Sequence, residues 1–158
     1  MTIESPRGLA RSQALLVEAL PKRPVARILT GMDTEGAIAL AAGALHPRAE
    51  VRWFHFDLYV ARKVARVFAD NLRADLRADA VEDVPEGPFD LAALGFPSGG
   101  EALLARDLLE AAHDALAVGG RLVAATDGGG AWLRGAVEKV TRPAFAASAD
   151  HAFHAFCP

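Results

Sequence analysis

The side chains able to do chemistry fall in a few short stretches, and most fail on spacing. The turn Thr30-Gly31-Met32-Asp33-Thr34-Glu35-Gly36 follows a short apolar run, where a Rossmann dinucleotide site would need Gly-x-Gly-x-x-Gly. It supplies only Gly31 and Gly36, which puts a nicotinamide or nucleotide binder last among the readings. Gly128-Gly129-Gly130 lacks the Lys-Ser/Thr that completes a P-loop, and a turn before a helix accounts for it. Ser98 is not a nucleophile elbow, because Phe96 stands where Gly-x-Ser-x-Gly has its first glycine. His113, Asp150, His151 and His154 are metal-capable types, but no His-x-x-Glu-His or equivalent spacing joins them. His151 and His154 fall in an expected terminal strand, where i and i+3 face opposite sides, so no metal is expected. Cys157 has no neighbouring base, and as the sole cysteine it excludes an internal disulfide or a multi-cysteine zinc site. Arg62, Lys63, Arg66, Arg73 and Arg77 are interleaved with Asp70, Asp75, Asp79, Glu82 and Asp83, the pattern of a solvated face.

The elements that position these residues alternate between short apolar runs and helical patterns. Leu9, Leu15, Leu16 and Leu20 define a first helix ended by Pro21 and Pro24. A strand over 25–30, a helix over 37–45 stopped near Pro47, and a strand over 51–56 follow. Asp57 is expected to cap a helix running to about Asn71. A short strand is read near 72–78, then a turn at Pro85-Glu86-Gly87-Pro88 and an apolar strand over 89–94. The remainder reads as a helix over 101–116 ended by Val118-Gly119-Gly120, a strand over 121–125 and a helix over 131–140. Residues 143–158 alternate apolar and small types, as an antiparallel hairpin would. This order predicts the doubly wound α/β class, a mostly parallel sheet with helices on both faces and ligands beyond the carboxyl ends of its strands. The edge loops would be 30–36, 55–57, 79–83 and 95–99.

The whole chain of 158 residues fits one domain, taken as 1–158. At 52% hydrophobic and 23% charged it is a globular composition, and a net charge of −3 gives no global basic field. No apolar run reaches the roughly 18 residues of a membrane span, and no signal-peptide core opens the sequence. No membrane association is expected, and the expected location is the cytoplasm.

The order and spacing of Leu15-Leu16, Ala26-Arg27-Ile28-Leu29, Val51 to Asn71, Phe89-Asp90-Leu91 and Ala115 to Leu122 resemble class I S-adenosylmethionine-dependent methyltransferases. The resemblance is strongest to the small-domain type of the ribosomal small-subunit guanine-N2 methyltransferases. It implies a seven-stranded Rossmann-like sheet, S-adenosylmethionine as cofactor if any is bound, and ribosomal RNA or a second methyltransferase domain as partner. It also implies the cofactor positions Thr30, Gly31, Gly36, His55, Asp57 and Asp79, and the catalytic-loop positions Gly95, Phe96 and Pro97.

Departures from the family pattern concentrate at those positions. Thr30 stands for the acid before the first loop, and Met32 and Thr34 stand for its first two glycines, leaving Gly36. His55 replaces the carboxylate that accepts from the ribose hydroxyls, with Asp57 two residues on, while Asp79 keeps the acid expected beside the adenine amino group. In Gly95-Phe96-Pro97-Ser98, glycine replaces the asparagine of Asn-Pro-Pro-aromatic and phenylalanine replaces the first proline. The family's amide acceptor, which holds the target amino group for transfer, is therefore missing. In two-domain members of the family such an eroded copy supports folding and RNA placement. The chain is thus read as a catalytically degenerate methyltransferase-fold domain, the alternative being an active enzyme with an atypical cofactor loop. If degenerate, its apolar pocket is expected to be filled by Met32, Trp53 and Phe96.

Overall fold

The computed structural model describes residues 8–71, 75–128, 130–145 and 153–156. Helix α1 (Arg11–Ala19) leads into β1 (Arg27–Gly31), α2 (Ala37–Leu45), β2 (Glu50–His55), α3 (Leu58–Ala69) and β3 (Asp75–Ala80). Then come β4 (Phe89–Phe96), α4 (Ala102–Asp114), β5 (Leu116–Thr126), α5 (Gly130–Phe145) and β6 (Phe153–Phe156). The strands form one parallel sheet in the order β3-β2-β1-β4-β5-β6. The order reverses between β1 and β4, the switch point at which doubly wound sheets bind ligands.

Period-two alternation along the strands divides the core in two. On one face Leu16, Ile38, Val64 and Phe68 from α1, α2 and α3 cover Ile28, Val51, Trp53, Leu91 and Ala93. On the other, Leu108, Leu109, Leu133 and Val137 from α4 and α5 cover Leu29, Phe54, Ala92, Leu94 and Leu122.

Three expectations need correction. The sheet has six strands among the described residues, not seven. The expected terminal hairpin is replaced by a helix extending to Phe145 and by β6, which runs parallel to β5 with Leu122 opposite Phe153. Alternating small and apolar residues fit either strand direction, and direction is set by a crossover that periodicity does not reveal. Strand β5 begins at Leu116, because the chain does not stop at Val118-Gly119-Gly120 but bulges there. Phe89 pairs with Leu116 and Leu91 with Arg121, and Gly119 takes a φ of 77°.

Helical cover is also uneven. Residues 81–88 join β3 to β4 without a helix. On the α4/α5 side, β2 and β3 therefore carry charges where a helix would demand apolar residues. Arg52 pairs with Asp79 at 2.8 Å, and Arg77 lies 3.6 Å from Asp75.

His46, at the C-terminus of α2, is buried. Burial lowers its pKa, opposed in part by the Pro21 carbonyl. A lowered native pKa means that the unfolded chain binds more protons just below the ordinary histidine value of about 6.5. Stability is thus expected to be full above that pH and to decline as pH falls through it. Urea titrations at a series of pH values would check this, with His46→Gln flattening that part of the profile.

Candidate functional site

The carboxyl ends of β1, β2, β3 and β4 bring the sequence-nominated positions onto one edge. Most of them make contacts within the protein's own structure.

The β1 loop shows this most fully. Thr30 is fully buried and, alternating with Ile28, faces the α1/α2 side, with its hydroxyl unpartnered. At Gly31 a Cβ would lie 2.7 Å from both the Phe54 ring and the Phe54 carbonyl oxygen. Glycine is thus required there by the neighbouring strand, whose Phe54 carbonyl also accepts the Met32 amide at 3.2 Å. Met32 adopts a φ of 69°, the left-handed region natural to glycine, and packs half-buried onto the Phe54–Phe96 cluster. The loop thus keeps a glycine-like turn while carrying a long side chain. Gly36, also left-handed at 69°, is the N-cap of α2, and a Cβ there would lie 2.7 Å from Val64 and Phe68.

Asp33 locks this loop. Its Oδ1 accepts the Trp53 indole N–H at 2.7 Å, and its Oδ2 accepts the Ala37 amide at 2.9 Å. One buried carboxylate thus satisfies a core tryptophan and caps α2. Sequence reasoning missed it; an Asp four residues before a helical run was the available signal. It also missed Asp127, which accepts from the Ser12 amide at 2.8 Å and the Ser12 hydroxyl at 2.9 Å, fastening α1 to the end of β5.

At the end of β2, His55 stacks on Trp53 with ring centroids 5.8 Å apart. Its Nδ1 accepts the Asp57 amide at 2.9 Å. That bond uses the one acceptor a neutral imidazole has, so His55 retains none for a pair of ribose hydroxyls. Asp57 caps α3, as its place before the helix predicts, its Oδ1 accepting from Tyr59 at 2.7 Å and from Val60 at 3.4 Å. Asp79 lies within β3, where its Oδ2 accepts from Arg52 Nε at 3.1 Å and Nη2 at 2.8 Å.

Gly95 and Phe96 form the last residues of β4, and Pro97 follows them. A Cβ on Gly95 would point at Leu16 and Ile38, at 3.4 and 3.7 Å, into the α1/α2 core. Phe96 is buried on the opposite face and meets Trp132 edge-on at 6.1 Å. Met32, Phe96, Pro97 and Trp132 line an apolar cavity of about 150 Å³ beneath the start of α4. The expected filling of the pocket is not what the structure shows, because Met32 and Phe96 line this cavity and do not close it. Met32 and Phe96 share one cluster, whereas Trp53 lies across the sheet in the other.

Among the described residues no group of His, Cys, Asp and Glu could hold a metal. His151 and Cys157 lie outside them, and His154 falls in β6. No described helix is long and apolar enough to cross a membrane.

No family model matches the chain, and no curated protein matches it in sequence. Solved structures do match. The ribosomal protein L11 methylase from Lactobacillus delbrueckii subsp. bulgaricus is similar with a TM-score of 0.65 and 18% identity, over 83% of this chain and 65% of its own. A SAM-dependent methyltransferase from Agrobacterium tumefaciens aligns with a TM-score of 0.62 and 16% identity, over 89% of this chain and 50% of that one. The mitomycin 7-O-methyltransferase MmcR aligns at 0.55 with 18% identity, over 70% and 34%. The fold is that of the class I SAM-dependent methyltransferases. The chain spans less than two thirds of the length of each of these three proteins.

The residues that the resemblance implies for S-adenosylmethionine already have contacts within the protein. Met32 stands in the first-glycine position, the His55 acceptor is consumed, Asp79 is ion-paired, and the Thr30 hydroxyl is buried. Asp57 Oδ2 and Asp79 Oδ1 are the carboxylate oxygens at these positions that the bonds above do not use.

Proposed function

We propose that the chain is a catalytically degenerate methyltransferase-fold domain that serves as a structural support or RNA-positioning module. What carries this reading is the β1 loop. It keeps the left-handed turn at residue 32 but fills it with methionine, and Asp33 clamps it to Trp53 and α2. A loop meant to admit a ligand's ribose and methionine portions needs backbone at close range, and here side chain stands in that place. The catalytic loop agrees, since Gly95 offers no side-chain acceptor to orient an amino group and its Cβ direction leads into the core. Ribosomal RNA or a second methyltransferase domain is the partner class this role requires.

Calorimetric titration with S-adenosylmethionine and S-adenosylhomocysteine tests the reading. No heat of binding is expected up to about 1 mM ligand, at two temperatures. A dissociation constant near 1 μM, about −8 kcal/mol, would overturn degeneracy and favour an active enzyme with an atypical loop.

A further inference from the structure

A second concavity lies off the strand edge, between α4 and α5. It is a groove of about 420 Å³ whose walls include Leu103, Arg106, Trp132, Gly135, Ala136 and Lys139. On α5, Trp132, Gly135, Ala136 and Lys139 follow the i, i+3, i+4, i+7 spacing of one helical face. Core packing explains that face only in part, since Trp132 and Ala136 touch the core from its margin and Gly135 and Lys139 do not belong to it. Leu133, Val137 and Val140 bury the other side of α5, while Trp132 is half-buried and Lys139 exposed.

Three features of this groove belong together. Its charged lining residues are both cations, Arg106 and Lys139, in a chain whose net charge is −3. The Arg106 Nε is buried and has no hydrogen-bond partner, so this donor is unsatisfied. Gly135 sits in mid-helix, where glycine costs about 1 kcal/mol relative to alanine. A Cβ there would meet nothing within 4 Å, so the glycine contributes width to the groove rather than relief from a clash. The Trp132 indole, held edge-on by Phe96, supplies an aromatic wall beside the cations.

We propose that this groove binds a phosphorylated nucleoside, the base stacking on Trp132 and the phosphate meeting Arg106 and Lys139. Stacking on an aromatic side chain combined with cationic contacts to phosphate is the usual chemistry of base and backbone recognition. The volume suits a small ligand rather than a long peptide helix, which would need anchor positions over several turns. Here α4 contributes one turn and α5 two. None of the cofactor positions named above lines the groove, and Trp132, which packs on Phe96, is the residue it shares with the cavity at the strand edge.

The test is calorimetry on the full chain with adenosine 5′-monophosphate, adenosine, inorganic phosphate and a 5′-phosphorylated hexauridylate. Saturable binding of the monophosphate is expected, with adenosine and phosphate each at least about tenfold weaker. Gly135→Leu should abolish it by filling the groove. Gly135→Ala, also compatible with the helix, should leave a folded control that still binds. Arg106→Gln should weaken binding about tenfold and reduce its salt dependence. If the hexanucleotide binds about tenfold more tightly than the monophosphate, the natural source is an RNA strand; if it binds no better, a free nucleotide. Absence of binding by all probes at about 10 mM overturns the proposal. So does unchanged affinity in Gly135→Leu, or binding of an acidic amphipathic peptide where the nucleotides fail. Adenosine is also a part of S-adenosylmethionine, so Gly135→Leu is the arm that separates the groove from the strand edge, since it fills the first and leaves the second untouched.

Discussion

Replacing Asp33 by alanine is expected to lower the unfolding free energy by about 3 kcal/mol, a drop of roughly 10 °C in Tm for a domain of this size. Two losses add. The Trp53 indole N–H, buried with its ring fully inside the core, loses its 2.7 Å acceptor, and an unsatisfied buried donor costs about 1–3 kcal/mol. The Ala37 amide loses its cap at 2.9 Å, worth about 1 kcal/mol. Asp33→Asn keeps an acceptor oxygen for one of the two donors and should cost about half as much. The decisive comparison is Asp33→Ala made together with Trp53→Phe. With the indole donor removed, the second variant should recover part of the loss, and the double-mutant cycle should give a coupling of about 1–2 kcal/mol. Chemical denaturation followed by circular dichroism measures all four proteins. Additive effects would show that Asp33 acts on the helix alone and does not clamp the loop to the core.

That clamp also marks where the sequence stops being readable. Helix α2 is legible to the residue, because Gly36 precedes an unbroken apolar run and His46-Pro47 ends it. Asp57 is legible as a cap for the same local reason. Long-range commitments are not. Asp33 meets Trp53 across twenty residues, and Asp79 meets Arg52 across twenty-seven, through a strand register that no local pattern specifies. Gly31 and Gly36 show a subtler limit. A glycine beside a strand end signals that something approaches the backbone closely. In this chain what approaches is the protein itself, Phe54 at residue 31, and Val64 and Phe68 at residue 36. A ligand and a neighbouring side chain leave the same trace in sequence, so the scaffold was readable while the occupant of the cleft was not.

The same ambiguity sets up the second expected result, at the catalytic-loop position. Gly95→Asn restores the amide acceptor that the resemblance implies, yet it is expected to destabilise the protein by about 3 kcal/mol and to confer no methyl transfer. The Cβ direction at Gly95 runs toward Leu16 and Ile38, with the Ser12 hydroxyl at 4.0 Å as the one polar atom among its three nearest neighbours. That hydroxyl already donates to Asp127. An asparagine amide placed there is overpacked against two aliphatic side chains, at about 1–3 kcal/mol, and leaves at least part of its hydrogen-bonding capacity unmet, at a further 1–3 kcal/mol or so. Gly95→Ala separates size from polarity. Its Cβ would sit at 3.4 Å or more from every neighbour, an ordinary contact, so its stability should lie within about 0.5 kcal/mol of the parent. Thermal denaturation of both variants, with a methyl-transfer assay on RNA for the asparagine form, reads the two effects. A stable Gly95→Asn protein that acquires transfer would mean that α1 yields and the side chain reaches the strand edge, leaving a single residue between this domain and catalysis. A destabilised and inert one means that α1, fastened at Ser12 to Asp127, closes over the position, so that placing an amide acceptor there would require rebuilding the helix packing and not only the loop.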